Sequence, residues 1–410
     1  MAERTTCVVI GGGPAGMMLG LLLARAGIEV TVLEKHADFL RDFRGDTVHP
    51  STMRLLDELG LGEAFAKLPQ SRMEQIVFPI DENDYVVVGD LRRLKVPHPY
   101  IAITPQWDLL NLLAEAGEKE PTFRLRMRTE ATELIREGGR VRGVRYRADD
   151  GTSGEIRAEL TVACDGRWSI ARELPQLRYK ELPVPIDAWW FRLSRKPGEN
   201  RSSLRPTLRD GRFAIVIPRT DFYQIAYIGK KGIDPLLRAR GIESFRRKAG
   251  GLLVDLADRL DELASMDDVK HLDVRLNRLR RWHIDGLLCI GDAAHAMSPI
   301  GGVGINLAVQ DAVAAATLLA APLRRGRVSG RTLAKVSRRR RLPTVIVQTL
   351  QHILHRTVAA PLVEGNRAGP PKAATTVLRR LPWLSFVPAY LIGVGPRPEH
   401  APAFARRPPG

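Results

Sequence analysis

Cysteine is nearly missing: three residues in a chain of 410, an odd total with no CxxC pair. Cys7, Cys164 and Cys289 each sit in or beside an apolar run of strand character. They read as small buried hydrophobes, and neither a disulfide framework nor a metal site is indicated. No stretch reaches the ~18 uninterrupted apolar residues of a membrane-crossing helix, and the N-terminus enters its first strand too early for a signal peptide. A cytoplasmic location is expected. Internal repeats and long low-complexity linkers are also missing. Negative charge is in the minority, 46 Asp and Glu against 63 Lys and Arg, for a formal net charge of +17. Those basic residues are scattered, mostly Arg, and accompany no nucleic-acid module. The balance therefore argues against nucleic-acid binding and for a surface that attracts small anions.

What is present is concentrated in three short segments. The first, Gly11-Gly12-Gly13-Pro14-Ala15-Gly16, directly follows the apolar run Cys7 to Ile10. A Leu- and Ala-rich helix from Leu19 to Ala26, stopped by Gly27, and a second strand from Glu29 to Leu33 complete a βαβ unit. In such a unit Gly11 permits the tight turn, Gly13 lets the backbone approach a pyrophosphate, and Gly16 lets helix and strand pack closely. The helix N-terminus offers free N–H groups and the positive dipole end to phosphate. Glu34, followed by Lys35, closes the second strand where a carboxylate accepts from ribose hydroxyls, which favours FAD or NAD over NADP. The second segment, Cys164 to Ser169, follows the strand Leu160 to Ala163. The third, Gly291 to His295, follows the strand Gly286 to Ile290, and Pro299 to Asn306 leads from it into a helix over Leu307 to Ala320.

Together and in this order, the three segments resemble the group A flavoprotein monooxygenases, the aromatic hydroxylase superfamily typified by p-hydroxybenzoate hydroxylase. The resemblance covers roughly residues 1 to 320. It implies an α/β fold: a Rossmann-like FAD-binding domain of the p-hydroxybenzoate hydroxylase/glutathione reductase type, with an inserted antiparallel β-sheet substrate domain and C-terminal helices. It implies Asp292, with Gly291, as ligand of the ribityl chain, and Gly301, Gly304 and the backbone N–H groups of Ile305 and Asn306 at the flavin pyrimidine ring. There a helix dipole stabilises the anion of reduced flavin. Asp165, Gly166, Ser169 and Arg172 fit the family pattern Asp-Gly-x-x-Ser-x-x-Arg, used both near the FAD pyrophosphate and in NAD(P)H binding. Arg44 matches an arginine over the FAD phosphates, Gln106 a residue on the flavin side, and Pro299 the position that shapes the reacting face.

The implied activity is oxygen transfer. NADH or NADPH reduces the flavin, O2 adds at its C4a position, and the resulting hydroperoxyflavin hydroxylates or epoxidises an aromatic or polyketide-like small molecule. With a single nucleotide fingerprint in the chain, the nicotinamide cofactor is expected to dock transiently. An FAD-dependent reductase or dehydrogenase on the same scaffold is the alternative reading, and a non-enzymatic flavin-binding protein a third. A flavin halogenase is disfavoured because its Trp-x-Trp-x-Ile-Pro element is missing, and Trp189-Trp190 does not replace it.

Between the segments, the FAD-binding domain is expected at 1–73, 101–178 and 272–341, and the substrate domain at 74–100 and 179–271. Phe213 to Ile217 and Phe222 to Tyr227, separated by Pro218 to Asp221, carry a hairpin signal. Trp189, Arg192, Phe213 and Tyr223 are the candidate substrate-pocket residues. Residues 342–410 should form a C-terminal helical segment, with a helix over Thr344 to Val358, and a loose Pro-rich tail. Contact of that arginine-flanked segment with a membrane surface is the lesser reading. Monomer and homodimer both remain open.

Overall fold

The computed structural model describes residues 3–40, 47–80, 84–196, 198–199, 204–209, 211–219, 221–365 and 372–408. Its centre is a parallel sheet. β1 (Glu3–Ile10) is followed by α1 (Pro14–Arg25) and β2 (Val30–Leu33), the βαβ unit read from the sequence, with the helix starting at Pro14. Proline suits that first position because the N–H it lacks would have no helical partner there. Leu19, Leu21, Leu22 and Leu23 of α1 are almost wholly buried, each contributing about 1.5–3 kcal/mol of transfer free energy.

α2 (Pro50–Glu58) and α3 (Gln106–Glu118) follow. The chain then returns through an antiparallel meander, 129–137 and 140–148, into the long strand β3 (Ser153–Ala163). β3 pairs parallel with β1, which pairs parallel with β2, and β2 pairs parallel with residues 123–126. Because both faces of this sheet are covered, its strands read as continuous apolar runs such as Cys7-Val8-Val9-Ile10 rather than alternating ones.

A second, five-stranded antiparallel sheet contains β4 (Ile186–Ser194), β5 (Arg212–Pro218) and β6 (Phe222–Lys230), in the order 205–209, β5, β6, β4, 270–272. β5 and β6 are the expected hairpin, with Pro218 opposite Tyr223. The excursion near residue 80 reaches this sheet: Phe78 stacks on Phe213 with centroids 5.8 Å apart.

β7 (Leu287–Cys289) then joins β3 in parallel, and α4 (Gly304–Arg324) crosses behind the parallel sheet. α4 is long and apolar enough to span a membrane by composition, yet it is mostly buried inside the protein.

The C-terminal part differs from expectation in two ways. The helix starts much earlier: α5 runs Gly330–Leu354, takes the basic run 338–341 into its middle, and continues as a π-helical turn over His355–Ala359. The Pro-rich end is tied down. Arg25 donates to the Ala405 carbonyl at 2.9 Å, and the Ala401 amide donates to Glu58 at 2.6 Å. Between them lie α6 (Lys372–Arg380) and α7 (Phe386–Gly393).

Candidate functional site

Leu33, Ile10, Ala163 and Cys289 lie in one row across four adjacent parallel strands, each the last paired residue of its strand. The backbone stitches the loops that leave this row. The Gly11 amide donates to the Leu33 carbonyl at 2.8 Å, Cys164 to Ile10 at 2.8 Å, and Ile290 to Ala163 at 3.1 Å. Three segments far apart in sequence are thus neighbours at the carboxyl edge of one sheet, where open α/β sheets bind their ligands.

The residues at this edge fit a dinucleotide. α1 begins at Gly13 with no side-chain cap, so its first amides have no helical partner. A Cβ on Gly13 would meet nothing within 4 Å, whereas one on Gly16 would lie 2.0 Å from the Gly11 carbonyl oxygen. Open space at one glycine and backbone contact at the other are what a phosphate turn over a tightly packed helix requires. Glu34 is buried; its two carboxylate oxygens accept from the Gly12 amide at 2.9 Å and the His36 amide at 3.0 Å. A carboxylate offers about four acceptor sites, a chemistry that suits ribose hydroxyls. Lys35 points outward, 3.9 Å from Glu130.

In the second segment one Asp165 oxygen accepts the Ile170 amide at 3.0 Å, and the other is buried with no hydrogen-bond partner. Burial pushes this carboxyl above its ordinary pKa. Gly166 forms the turn after it at φ +84°. Arg172, last residue of the same pattern, donates to the main-chain carbonyls of Asp292 at 2.8 Å and Ala293 at 3.0 Å. The second segment therefore holds the third in place. Asp292 keeps its carboxylate half exposed, 3.8 Å from Arg167. Gly291, at φ +59°, sits where a Cβ would be 3.1 Å from Ala15 and 3.3 Å from Ala308, so a side chain there would separate the two helices.

The loop from Ser298 to Asn306 is held from three sides. Gln351 of α5 donates to the Ser298 and Ile300 carbonyls at 2.9 and 2.8 Å, flanking Pro299. Thr47 donates to the Gly302 carbonyl at 2.9 Å. Ser51 and Thr52 of α2 both donate to the Asn306 side-chain oxygen, at 2.8 and 2.7 Å. Gly301 and Gly302 have positive φ, and α4 starts without a side-chain cap. Its first ladder bond runs from Leu307 to Val303, leaving the amides of Gly304, Ile305 and Asn306 without an intrahelical acceptor. Gln106 opens α3 just after the strand 101–103, which pairs with Thr47 and Val48 beside this loop. Arg44 lies outside the described residues.

His295 does not face the edge. It is 1% exposed, 2.5 Å from Asp311. Asp311 also accepts from Arg340 at 3.0 Å and from the Gly291 amide at 3.2 Å. Burial opposes ionisation of Asp311, but His295 and Arg340 more than offset it and hold the carboxyl below the usual range. Sequence reasoning missed this network, because Arg340 stands in the run Arg338 to Arg341 and looks like solvated charge. It also missed His49. This histidine is fully buried beside α2, and neither ring nitrogen makes a hydrogen bond of ordinary geometry. Burial pushes its pKa down to about 4, opposed only in part by the Ile392 backbone.

Two of the four substrate-pocket expectations need correction. Strand residues alternate between faces, and Trp189 and Tyr223 fall on the face packed against the helix 241–252, in a cluster with Phe191, Ile225 and Phe245. Trp189 donates to Asp234 at 2.8 Å and Tyr223 to Glu199 at 3.0 Å, both from fully buried rings. The opposite face carries Trp190, Ile215 and Ile217, which pack with Leu91, Leu94 and Ile392, and Ile392 lies against Gly301. By register, Arg192 and Phe213 belong to that second face. Arg192 lies over the Phe222 ring at 4.7 Å.

A family model described as FAD binding domain matches residues 4–349. The 6-methylpretetramide 4-monooxygenase of Streptomyces rimosus is 35% identical over 385 residues, spanning 92% of this chain and 89% of that protein. Rifampicin monooxygenase of Streptomyces venezuelae is 27% identical over 74% of this chain, which covers 62% of that longer protein. Among solved structures, OxyS anhydrotetracycline hydroxylase from Streptomyces rimosus superposes with a TM-score of 0.75 at 25% identity, over 95% of this chain and 76% of that one. PqsL of Pseudomonas aeruginosa, solved with 2-aminobenzoylacetate, has a TM-score of 0.72 at 22% identity, over 91% of this chain and all of that one.

Proposed function

The chain belongs to the FAD binding domain family and is an FAD-dependent monooxygenase, and on that premise we propose that its substrate is a polycyclic aromatic polyketide. The observation that carries this reading is the 35% identity, over 92% of the chain, to an enzyme named for 6-methylpretetramide.

When bound, FAD accepts two electrons from NADH or NADPH and activates O2 for transfer of one oxygen atom to the substrate. The chain's own residues hold and shield it. Gly11, Gly13, Pro14, Ala15 and Gly16 would take the pyrophosphate on the end of α1, and Glu34 would take the adenosine ribose. Asp292 takes the ribityl chain, with Gly291 keeping the helices close. The amides of Ile305 and Asn306 would serve the flavin pyrimidine ring, where a helix N-terminus favours negative charge. Gly301 and Gly304 leave the loop backbone exposed for that contact. Asp165 and Gly166 border the phosphates, and Gln106 borders the flavin side. Arg44 is assigned from the sequence pattern alone.

For the substrate, the face bearing Trp190, Ile215 and Ile217 would supply an apolar wall, and Ile392, which packs with it, reaches Gly301 in the loop that carries Pro299. Excluding water from that space protects the activated oxygen and strengthens each polar contact within it. Arg192 and Phe213 stand on the same face. His295 has its Nε2 committed to Asp311 and is positioned as a brace rather than an acid or base. We divide the chain accordingly into an FAD-binding domain at 1–73, 101–178 and 272–341, a substrate domain at 74–100 and 179–271, and a C-terminal segment from 342. The test is a screen of NAD(P)H oxidation with monocyclic phenols and with tetracyclic aromatic polyketides. Stronger stimulation by the tetracyclic compounds supports the proposal, and a preference for simple phenols rejects it.

A further inference from the structure

Fourteen large apolar side chains are exposed among the described residues, and six fall within fourteen consecutive positions: Val377, Leu381, Trp383, Phe386, Val387 and Tyr390. They lie on α6, at the junction residue Leu381, on the short turn of helix at Pro382–Ser385 and on α7. Trp383 is 59% exposed. α7 is two-sided: Ala389 is fully buried against the cluster of Leu91 and Leu94, and Ile392 reaches Gly301, while Phe386, Val387 and Tyr390 face outward. A concentration of exposed apolar side chains of this kind marks an interaction surface.

The charge pattern identifies the partner. Residues 372–393 contain no Asp or Glu and three basic residues, Lys372, Arg379 and Arg380. Arg379 pairs with Asp84, and Arg380 is exposed with no ion pair among the described residues. A symmetric contact with a second copy would bring two copies of this basic stretch together, on a chain of net charge +17. An anionic lipid surface presents the opposite charge, and Trp and Tyr are the side chains that settle at the level of lipid headgroups. We propose that the face formed by α6 and α7 docks the protein on an anionic lipid bilayer, with Trp383, Phe386 and Tyr390 entering the headgroup layer and Arg380 against lipid phosphates.

The test is co-sedimentation of the FAD-loaded protein with vesicles of phosphatidylcholine alone and of phosphatidylcholine mixed with phosphatidylglycerol. Binding is expected only to the mixed vesicles and should weaken as salt is raised. Replacing both arginines, Arg379→Gln with Arg380→Gln, should weaken it on the order of tenfold or more. Trp383→Ser with Phe386→Ser should abolish sedimentation while flavin content stays that of the parent. The lipid and salt dependence of the parent protein decides the matter even where a variant folds poorly. Equal binding to both vesicle types, or to neither, overturns the proposal. So does a dimer in sedimentation equilibrium that Trp383→Ser with Phe386→Ser converts to monomer, since the same face would then be a protein contact.

Discussion

At the scale of single residues, Asp292 and His295 stand three positions apart and answer to different demands. Asp292 keeps its carboxylate partly exposed, 3.8 Å from Arg167 and within the field of Arg172. His295 is inside, on Asp311. Asp292→Ala should therefore weaken FAD binding by about 1.5–3 kcal/mol, the usual size of a hydrogen bond to a charged group, and leave the melting temperature of the FAD-free protein unchanged. His295→Ala should do the reverse. It removes one partner from a buried carboxylate, at a cost of about 1–3 kcal/mol in stability, with a smaller effect on FAD affinity. Fluorescence titration with FAD and thermal melts of the FAD-free variants separate the two. A lower melting temperature for Asp292→Ala than for His295→Ala would reverse the assignment.

At the scale of elements, the loop from Ser298 to Asn306 is a joint between α2, α4 and α5, and two of its supports are buried histidines. His49 adjoins Ser51 and Thr52, which hold Asn306, and His355 lies 2.8 Å from Ser298. Burial lowers the pKa of each to about 4. Their neutral form is the folded form, so the stability they protect is complete above the unfolded value near 6.5. It is lost progressively as pH falls from there toward 4, because the unfolded chain binds the proton first. For His49 the loss at the lower limit is on the order of 3 kcal/mol. Melts of the FAD-free protein should fall steadily between pH 6.5 and 4, and His49→Phe should flatten that slope. A melting temperature constant over this range would contradict the account.

Elements also show what was readable in advance. The βαβ unit and the three edge loops make local demands, a glycine where backbone meets backbone and an acid at the end of a strand, and local demands are written in adjacent residues. Which face of an antiparallel strand looks inward is not. Trp189 and Trp190 are chemically alike and neighbours in sequence, and only the packing of the helix 241–252 on one side separates their roles. Arg340 was illegible for a similar reason. Its partners Asp311 and Glu399 lie 29 and 59 residues away, so nothing within the arginine run distinguishes it from its exposed neighbours.

At the scale of the whole molecule, one nucleotide site must serve a reaction that also consumes NADH or NADPH. The chain carries one strand–glycine–helix nucleotide fingerprint, Gly11 to Gly16, and Glu34 beside it is assigned to FAD under the proposed function. On that assignment the nicotinamide cofactor is expected to dock transiently, in a state that the substrate would favour by binding it more tightly. Stopped-flow mixing should show slow flavin reduction by NADPH or NADH alone and faster reduction with a verified substrate. A fast, substrate-independent reduction would remove the gate without touching the FAD site. The central claim, oxygen transfer from O2 to an aromatic polyketide, has a more direct test. The FAD-loaded protein should be turned over with a tetracyclic aromatic substrate, NADPH or NADH, and isotopically heavy O2 in ordinary water, and the product examined by mass spectrometry. The account predicts a product carrying one heavy oxygen atom. A product that carries only oxygen from water, or that is changed by hydrogen alone, would contradict it and make the protein a reductase or dehydrogenase on the same scaffold.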